Sequence, residues 1–175
     1  MNHPPPLLHA SAKSVTPGHS GLRAVDLFAG WGGFSQAAEQ VGVRVVYAAN
    51  HWPLAVRAHA QNHPETLHEC QDLRQADFTR LPAYDILLAA PACQGHSTAA
   101  RPSRVNHEHV RRTHDALRAT AWAVTDCLDA TRPTAFVVEN VPAFLRWELF
   151  PVWRESLRVL GYRLTMFRLN ASDYG

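Results

Sequence analysis

Cys93 stands in the stretch Pro91-Ala92-Cys93-Gln94-Gly95-His96-Ser97, directly after the apolar run Ile86 to Ala90. That run reads as a short buried strand ended by the proline, and open α/β sheets bind their ligands just past such strand ends. Free cysteine is commonly a small buried apolar residue. In a polar turn at a strand end, the same side chain suits a thiolate nucleophile. A second chemical candidate is Asp26-Leu27-Phe28-Ala29-Gly30-Trp31-Gly32-Gly33. Its glycines permit positive φ and let the backbone come close to a ligand at a helix N-terminus. Taken alone they fit a purely structural turn equally well. A dinucleotide fingerprint needs a further glycine at position 35, which is Ser35, so a nicotinamide enzyme is disfavoured. His63, His68 and Cys70 lack the paired spacing of a zinc site, and no metal is assigned.

These residues need elements to hold them, and strand and helix patterns alternate along the chain. Arg23 to Phe28 reads as a buried strand, and Phe34 to Val41 as a helix stopped by Gly42. Val43 to Ala48 is the second strand, and Pro53 to Asn62 a helix with proline in its first turn. A weaker strand is expected at Thr66 to Cys70, and a fourth at Ile86 to Ala90. Glu108 to Ala130 has apolar residues at helical spacing, with Cys127 among Val124 and Leu128 as a core residue; Cys70 is given no chemical role. Ala135 to Val138 is another strand, Trp147 to Leu160 a helix ending at Gly161, and Tyr162 to Leu169 a last strand. Such alternation implies an α/β fold, a mostly parallel sheet with helices on both faces.

Composition sets the outer bounds. The chain of 175 residues is long enough for one domain with a sizeable core. Hydrophobic residues make up 46% and charged residues 18%, as in globular proteins. A net charge of +2, with 11 histidines, permits nucleic-acid binding without arguing for it. Three cysteines without framework spacing suit a reducing, cytoplasmic setting. No run of the sequence is apolar enough to span a membrane, and the N-terminus lacks the apolar core of a secretory signal. Residues 1–20, polar and proline-rich, read as a disordered leader, leaving 21–175 as the domain.

The eight residues from Asp26 to Gly33 resemble the cofactor motif of S-adenosylmethionine-dependent methyltransferases, in particular the DNA (cytosine-5) methyltransferases. The Cys93 stretch is similar to that family's Pro-Pro-Cys-Gln motif, with Ala92 in place of the second proline. Val137 to Val141 resembles its glutamate motif, and Asn170 to Gly175 the start of a later motif that runs on into Gln-x-Arg-x-Arg. The likeness extends from about Ala24 to Gly175, with the motifs in family order.

The resemblance implies a class I, Rossmann-like methyltransferase fold and methyl transfer from S-adenosyl-L-methionine to carbon-5 of cytosine. That carbon is a poor nucleophile until a thiolate adds at carbon-6, so the chemistry needs an activated cysteine and an acid at ring nitrogen-3. By resemblance these are Cys93 and Glu139. Phe28, Gly30, Trp31, Gly33, Trp52, Asp72, Leu73 and Pro91 would contact the cofactor. His51 stands where the family has a ribose-binding acid, a departure that bears on cofactor affinity. Gln94, Ser97, Arg101 and Arg104 would meet DNA from a basic loop that also carries Arg111 and Arg112. The implied partners are double-stranded DNA and a second polypeptide carrying the family's C-terminal motifs, since the target-recognition region is expected to be missing from these residues. An RNA cytosine methyltransferase of the same family and a non-catalytic module binding cofactor or DNA are the alternatives.

Overall fold

The computed structural model describes residues 20–92 and 120–174. The leader apart from Ser20, the first part of the helix expected from Glu108, and Cys93, Gln94, Ser97, Arg101, Arg104, Arg111 and Arg112 lie outside the described residues. Among the described residues, strands β1 (Arg23–Leu27), β2 (Arg44–Asn50), β3 (Leu67–Cys70), β4 (Ile86–Ala89) and β5 (Ala135–Val138) form one sheet. Its order is β3-β2-β1-β4-β5, and every pairing is parallel. The chain steps outward from β1 to β3 and then returns to β4 on β1's other side. The crevice between the carboxyl ends of β1 and β4 is therefore a topological switch point, the usual ligand site of such sheets.

Helices α1 (Gly33–Gln40), α2 (Pro53–Asn62), α3 (Thr120–Thr131) and α4 (Phe150–Val159) cover the sheet. Strand side chains alternate between faces. Ala24 and Leu88 join Ala38 of α1 on one face, whereas Val25, Leu27, Leu87 and Ala89 join Val124, Leu128, Trp153 and Leu157 of α3 and α4 on the other. A bulge keeps β2 in step with this division. Ala24 pairs with Val45 but Val25 pairs with Tyr47, so Val46 is an extra residue. The buried Thr66 hydroxyl donates to the Val45 carbonyl at 3.0 Å beside it. Cys127 lies in the core as expected, and burial pushes its thiol up to about 11.

Two elements differ from the sequence reading. The helix expected from Trp147 starts at Phe150, because Pro142–Arg146 forms a separate 3-10 turn that seats Trp147 in the core first. Tyr162 to Leu169 is not a strand. Tyr162 stacks edge-on against Phe136 at 5.1 Å and donates to the Pro133 carbonyl, and Leu164 packs on the core. Beyond Leu164, Met166, Phe167 and Leu169 are exposed and no ladder with β5 forms. Apolar alternation marks which residues share a face; a strand also needs a partner's hydrogen bonds.

Candidate active site

The carboxyl ends of the strands carry the described candidate residues. After β1 the chain turns sharply: Phe28, Gly30 and Gly32 have φ of 61°, 52° and 99°. The Ala29 amide donates to the Ala49 carbonyl, fixing this turn to β2. A Cβ built at Gly33 meets nothing within 4 Å, so the first turn of α1 offers its backbone to open space. That is the form of site in which helix N–H groups meet an anionic or polar ligand. A Cβ at Gly32 would instead lie 2.5 Å from His63 Nε2, so that glycine is required by packing from beneath.

Past β2, the Asn50 side chain accepts from the Trp52 amide at 2.9 Å, and Pro53 opens α2. Trp52 and Trp31 meet edge-to-face at 6.1 Å and stay 47% and 60% exposed, two indole surfaces bordering the glycine turn. Large exposed aromatics of this kind suit stacking on a flat ring. His51 is exposed, and its carbonyl accepts from the Cys70 thiol. Past β3, Asp72 caps the turn Leu73–Gln75, and Arg74 Nε and Nη2 donate to its carboxylate at 3.0 and 2.6 Å. The Arg74 guanidinium holds the Asp72 carboxyl down at about 2, with a smaller pull from His51. Asp72 is thus an acceptor at any ordinary pH. Leu73 is buried in the core.

The ends of β4 and β5 are tied together. The Glu139 amide donates to the Ala89 carbonyl at 3.0 Å, and Asn140 Nδ2 donates to the Pro91 carbonyl, also at 3.0 Å. Asn140 then accepts from the Val141 amide, and the Ala92 amide donates to Thr120 Oγ1 of α3. The exposed Glu139 therefore sits on a turn anchored to buried Pro91, two positions before Cys93 in the sequence. Sequence reasoning passed over Asn140 and Arg74. Their signal was only their place beside Glu139 and Asp72. His63 and His68, weighed as metal ligands, are instead hydrogen-bonded to Glu39 and His59. No group of three metal-ligating side chains gathers among the described residues.

The assembled edge offers an open glycine turn, two indoles, an ionised carboxylate and a second carboxylate on the turn beside Pro91. It can hold an aromatic, polar cofactor next to a second reacting group. The sequence pattern described as C-5 cytosine-specific DNA methylase matches residues 22–175. The chain is 26% identical to the type II methyltransferase M.AgeI of Thalassovita gelatinovora, covering 88% of this chain and 36% of that protein. It is 28% identical to the DNA-cytosine methyltransferase of Escherichia coli K12, with 89% and 38% covered. A solved structure from an E. coli prophage, assigned as a DNA modification methyltransferase, superposes with a TM-score of 0.70 at 25% identity, covering 88% of this chain and 42% of that one. The chain thus spans little more than a third of these curated relatives, and the sheet is the Rossmann-like one of S-adenosylmethionine-dependent methyltransferases.

Proposed function

The chain belongs to the C-5 cytosine-specific DNA methylase family, and we propose that it is the cofactor-binding and catalytic portion of a DNA (cytosine-5) methyltransferase. The observation that carries this reading is the Asn140 bond to the Pro91 carbonyl, which supports bringing the Glu139 turn beside the Cys93 stretch. S-adenosylmethionine, when bound, supplies an electrophilic methyl group. The residues present fit it: Gly33 leaves backbone open, Trp31 and Trp52 border that opening, Gly30 gives the turn its positive φ, and Asp72 is an ionised acceptor. Phe28, Leu73 and Pro91 complete the proposed cofactor contacts, and His51 replaces a carboxylate with a ring that accepts one hydrogen bond.

In the proposed reaction the Cys93 thiolate adds to carbon-6 of an extruded cytosine, and Glu139 delivers a proton to nitrogen-3. The ring becomes enamine-like, so carbon-5 can take the methyl group. Loss of the carbon-5 proton to a base, departure of the thiolate and return of the nitrogen-3 proton to Glu139 then restore aromaticity and free both Cys93 and Glu139. Gln94, Ser97, Arg101 and Arg104 are the proposed contacts to duplex DNA, and a further polypeptide carrying the target-recognition motifs would hold the duplex while the base is out.

The test uses duplex DNA with a fluorine at carbon-5 of the target cytosine, together with the chain, S-adenosylmethionine and a family C-terminal polypeptide. Fluorine cannot leave as the proton does, so a covalent adduct should accumulate and map to Cys93. Cys93→Ala should abolish it, whereas Cys70→Ala and Cys127→Ala should retain it. An adduct on another residue overturns the assignment.

A further inference from the structure

Beneath the glycine turn, on the α1 and α2 face, lies a set of polar side chains that the proposed reaction does not use. Asp26 of β1 and His59 of α2 are each only 1% exposed. The Ser35 hydroxyl donates to Asp26 Oδ2 at 2.8 Å, and His59 Nε2 lies 3.0 Å from the same hydroxyl. His59 Nδ1 lies 2.8 Å from His68 Nε2 of β3. Hydrogen-bond bookkeeping fixes the direction of this chain. Ser35 has one proton, and it goes to Asp26. His59 Nε2 must therefore carry a hydrogen and donate to Ser35. In the neutral ring His59 Nδ1 is then a lone pair, and His68 Nε2 donates to it. Every donor runs inward from half-buried His68 to buried Asp26.

The same helix grips the turn itself. Asn62 Nδ2 donates to the Trp31 carbonyl at 3.0 Å. The His63 ring lies against Gly32, where a Cβ would come within 2.5 Å of Nε2 and 2.7 Å of Cδ2, and its Nδ1 meets the Glu39 carboxylate at 3.1 Å. The His59 and His63 rings are themselves in contact, with centroids 4.7 Å apart. We infer that His59, Asn62 and His63 are positioning residues that clamp the glycine turn in its ligand-accepting shape, and that the His59–His68 contact makes this clamp sensitive to acid. The role assigned to the turn rests on the cofactor reading above; the clamp does not.

The acid sensitivity follows from the contact between two ring nitrogens, which needs a hydrogen on one and a lone pair on the other. Protonating both rings sets N–H against N–H and opens it. The charged and titratable groups facing the pair are Asp26 from β1 and His63 just past α2, with Glu39 of α1 behind His63. Burial, then the nearby His59 and His63, push His68 down from its ordinary value.

The experiment follows the backbone amide signals of Trp31, Gly32 and Gly33 by NMR between about pH 7.5 and about pH 5.5. In the native chain they should move together with the ring signals of His68. In His68→Gln, whose side-chain amide can either donate to or accept from His59 and does not titrate, they should stay still. Calorimetry with S-adenosylmethionine should show binding weakening by about tenfold over the same range in the native chain and remaining flat in His68→Gln. Asn62→Ala should weaken it by about fivefold at either end. If the three amides ignore pH in the native chain, or titrate identically in His68→Gln, the inference is wrong. Amides that track the histidines without any cofactor binding would leave the clamp standing and overturn the cofactor reading instead.

Discussion

The two faces of the sheet are built from opposite materials. Under α3 and α4 the filling is dry and aromatic: Phe144, Trp147, Phe150 and Trp153 stack with centroids 5.2 to 5.9 Å apart, and Leu157 and Val124 close the space beneath. Under α1 and α2 the apolar set shrinks to a few residues around Ala24, Ala38 and Leu88, and a carboxylate, a hydroxyl and three imidazoles take up the rest. An apolar face contributes stability through area and dispersion without caring about direction. A hydrogen-bonded face contributes little net energy but admits few arrangements. The contrast assigns stability to the aromatic side and the shape of the glycine turn to the polar side.

Truncation on the dry face should have the largest effect. Trp153 is buried and its Nε1 donates to the Ala121 carbonyl at 2.9 Å, so Trp153→Ala leaves a cavity and removes a buried hydrogen bond. A loss of about 3–5 kcal/mol is expected in urea unfolding. Asp26→Ala should cost less, about 2 kcal/mol, through the stranded Ser35 hydroxyl. Its distinguishing mark would be altered NMR shifts at Trp31 and Gly32. A larger loss from Asp26→Ala than from Trp153→Ala would reverse the division of labour between the faces. Thr66→Val removes the bond to the Val45 carbonyl and should cost about 1 kcal/mol, read as a lower melting temperature. Mild acid should produce the smallest change. His68 is held below its unfolded value, so its contribution is present above about pH 6.5 and is lost as pH falls through the lower, folded value. A melting temperature that rose on acidification would contradict that sign.

The sequence disclosed the dry face more readily than the polar one. β1, β4 and β5 are short apolar runs bounded by glycine, proline or charge, and Trp147, Phe150, Trp153 and Leu157 recur at spacings that a single apolar face requires. The ends of β1, β4 and β5, and so the places of Phe28, Pro91 and Glu139 in the fold, followed from those runs. The Asp26–Ser35–His59–His68 chain did not, because its members come from β1, α1, α2 and β3, and no local pattern marks residues that meet only after folding. Arg74 escaped for another reason: an exposed arginine two residues after an aspartate looks like solvated charge until the bidentate geometry is seen. Tyr162 to Leu169 misled because its alternation was real while its hydrogen-bonding partner was not among the described elements.

The bulge at Val46 has a consequence for which changes of length the chain can accept. Before it, β2 presents Val45 to the α1 face; after it, Tyr47 and Ala49 point to the α3 face, in step with Val25 and Leu27 of β1. Val46 therefore acts as a one-residue phase shift between two halves of a strand. Deleting it would make Val45 and Tyr47 consecutive residues that still pair with Ala24 and Val25 and still face opposite sides, so the ladder would close without moving a side chain from one face to the other. At this position a change of length is a matter of local packing, whereas in a regular stretch of strand it is an error of parity that turns the buried residues outward.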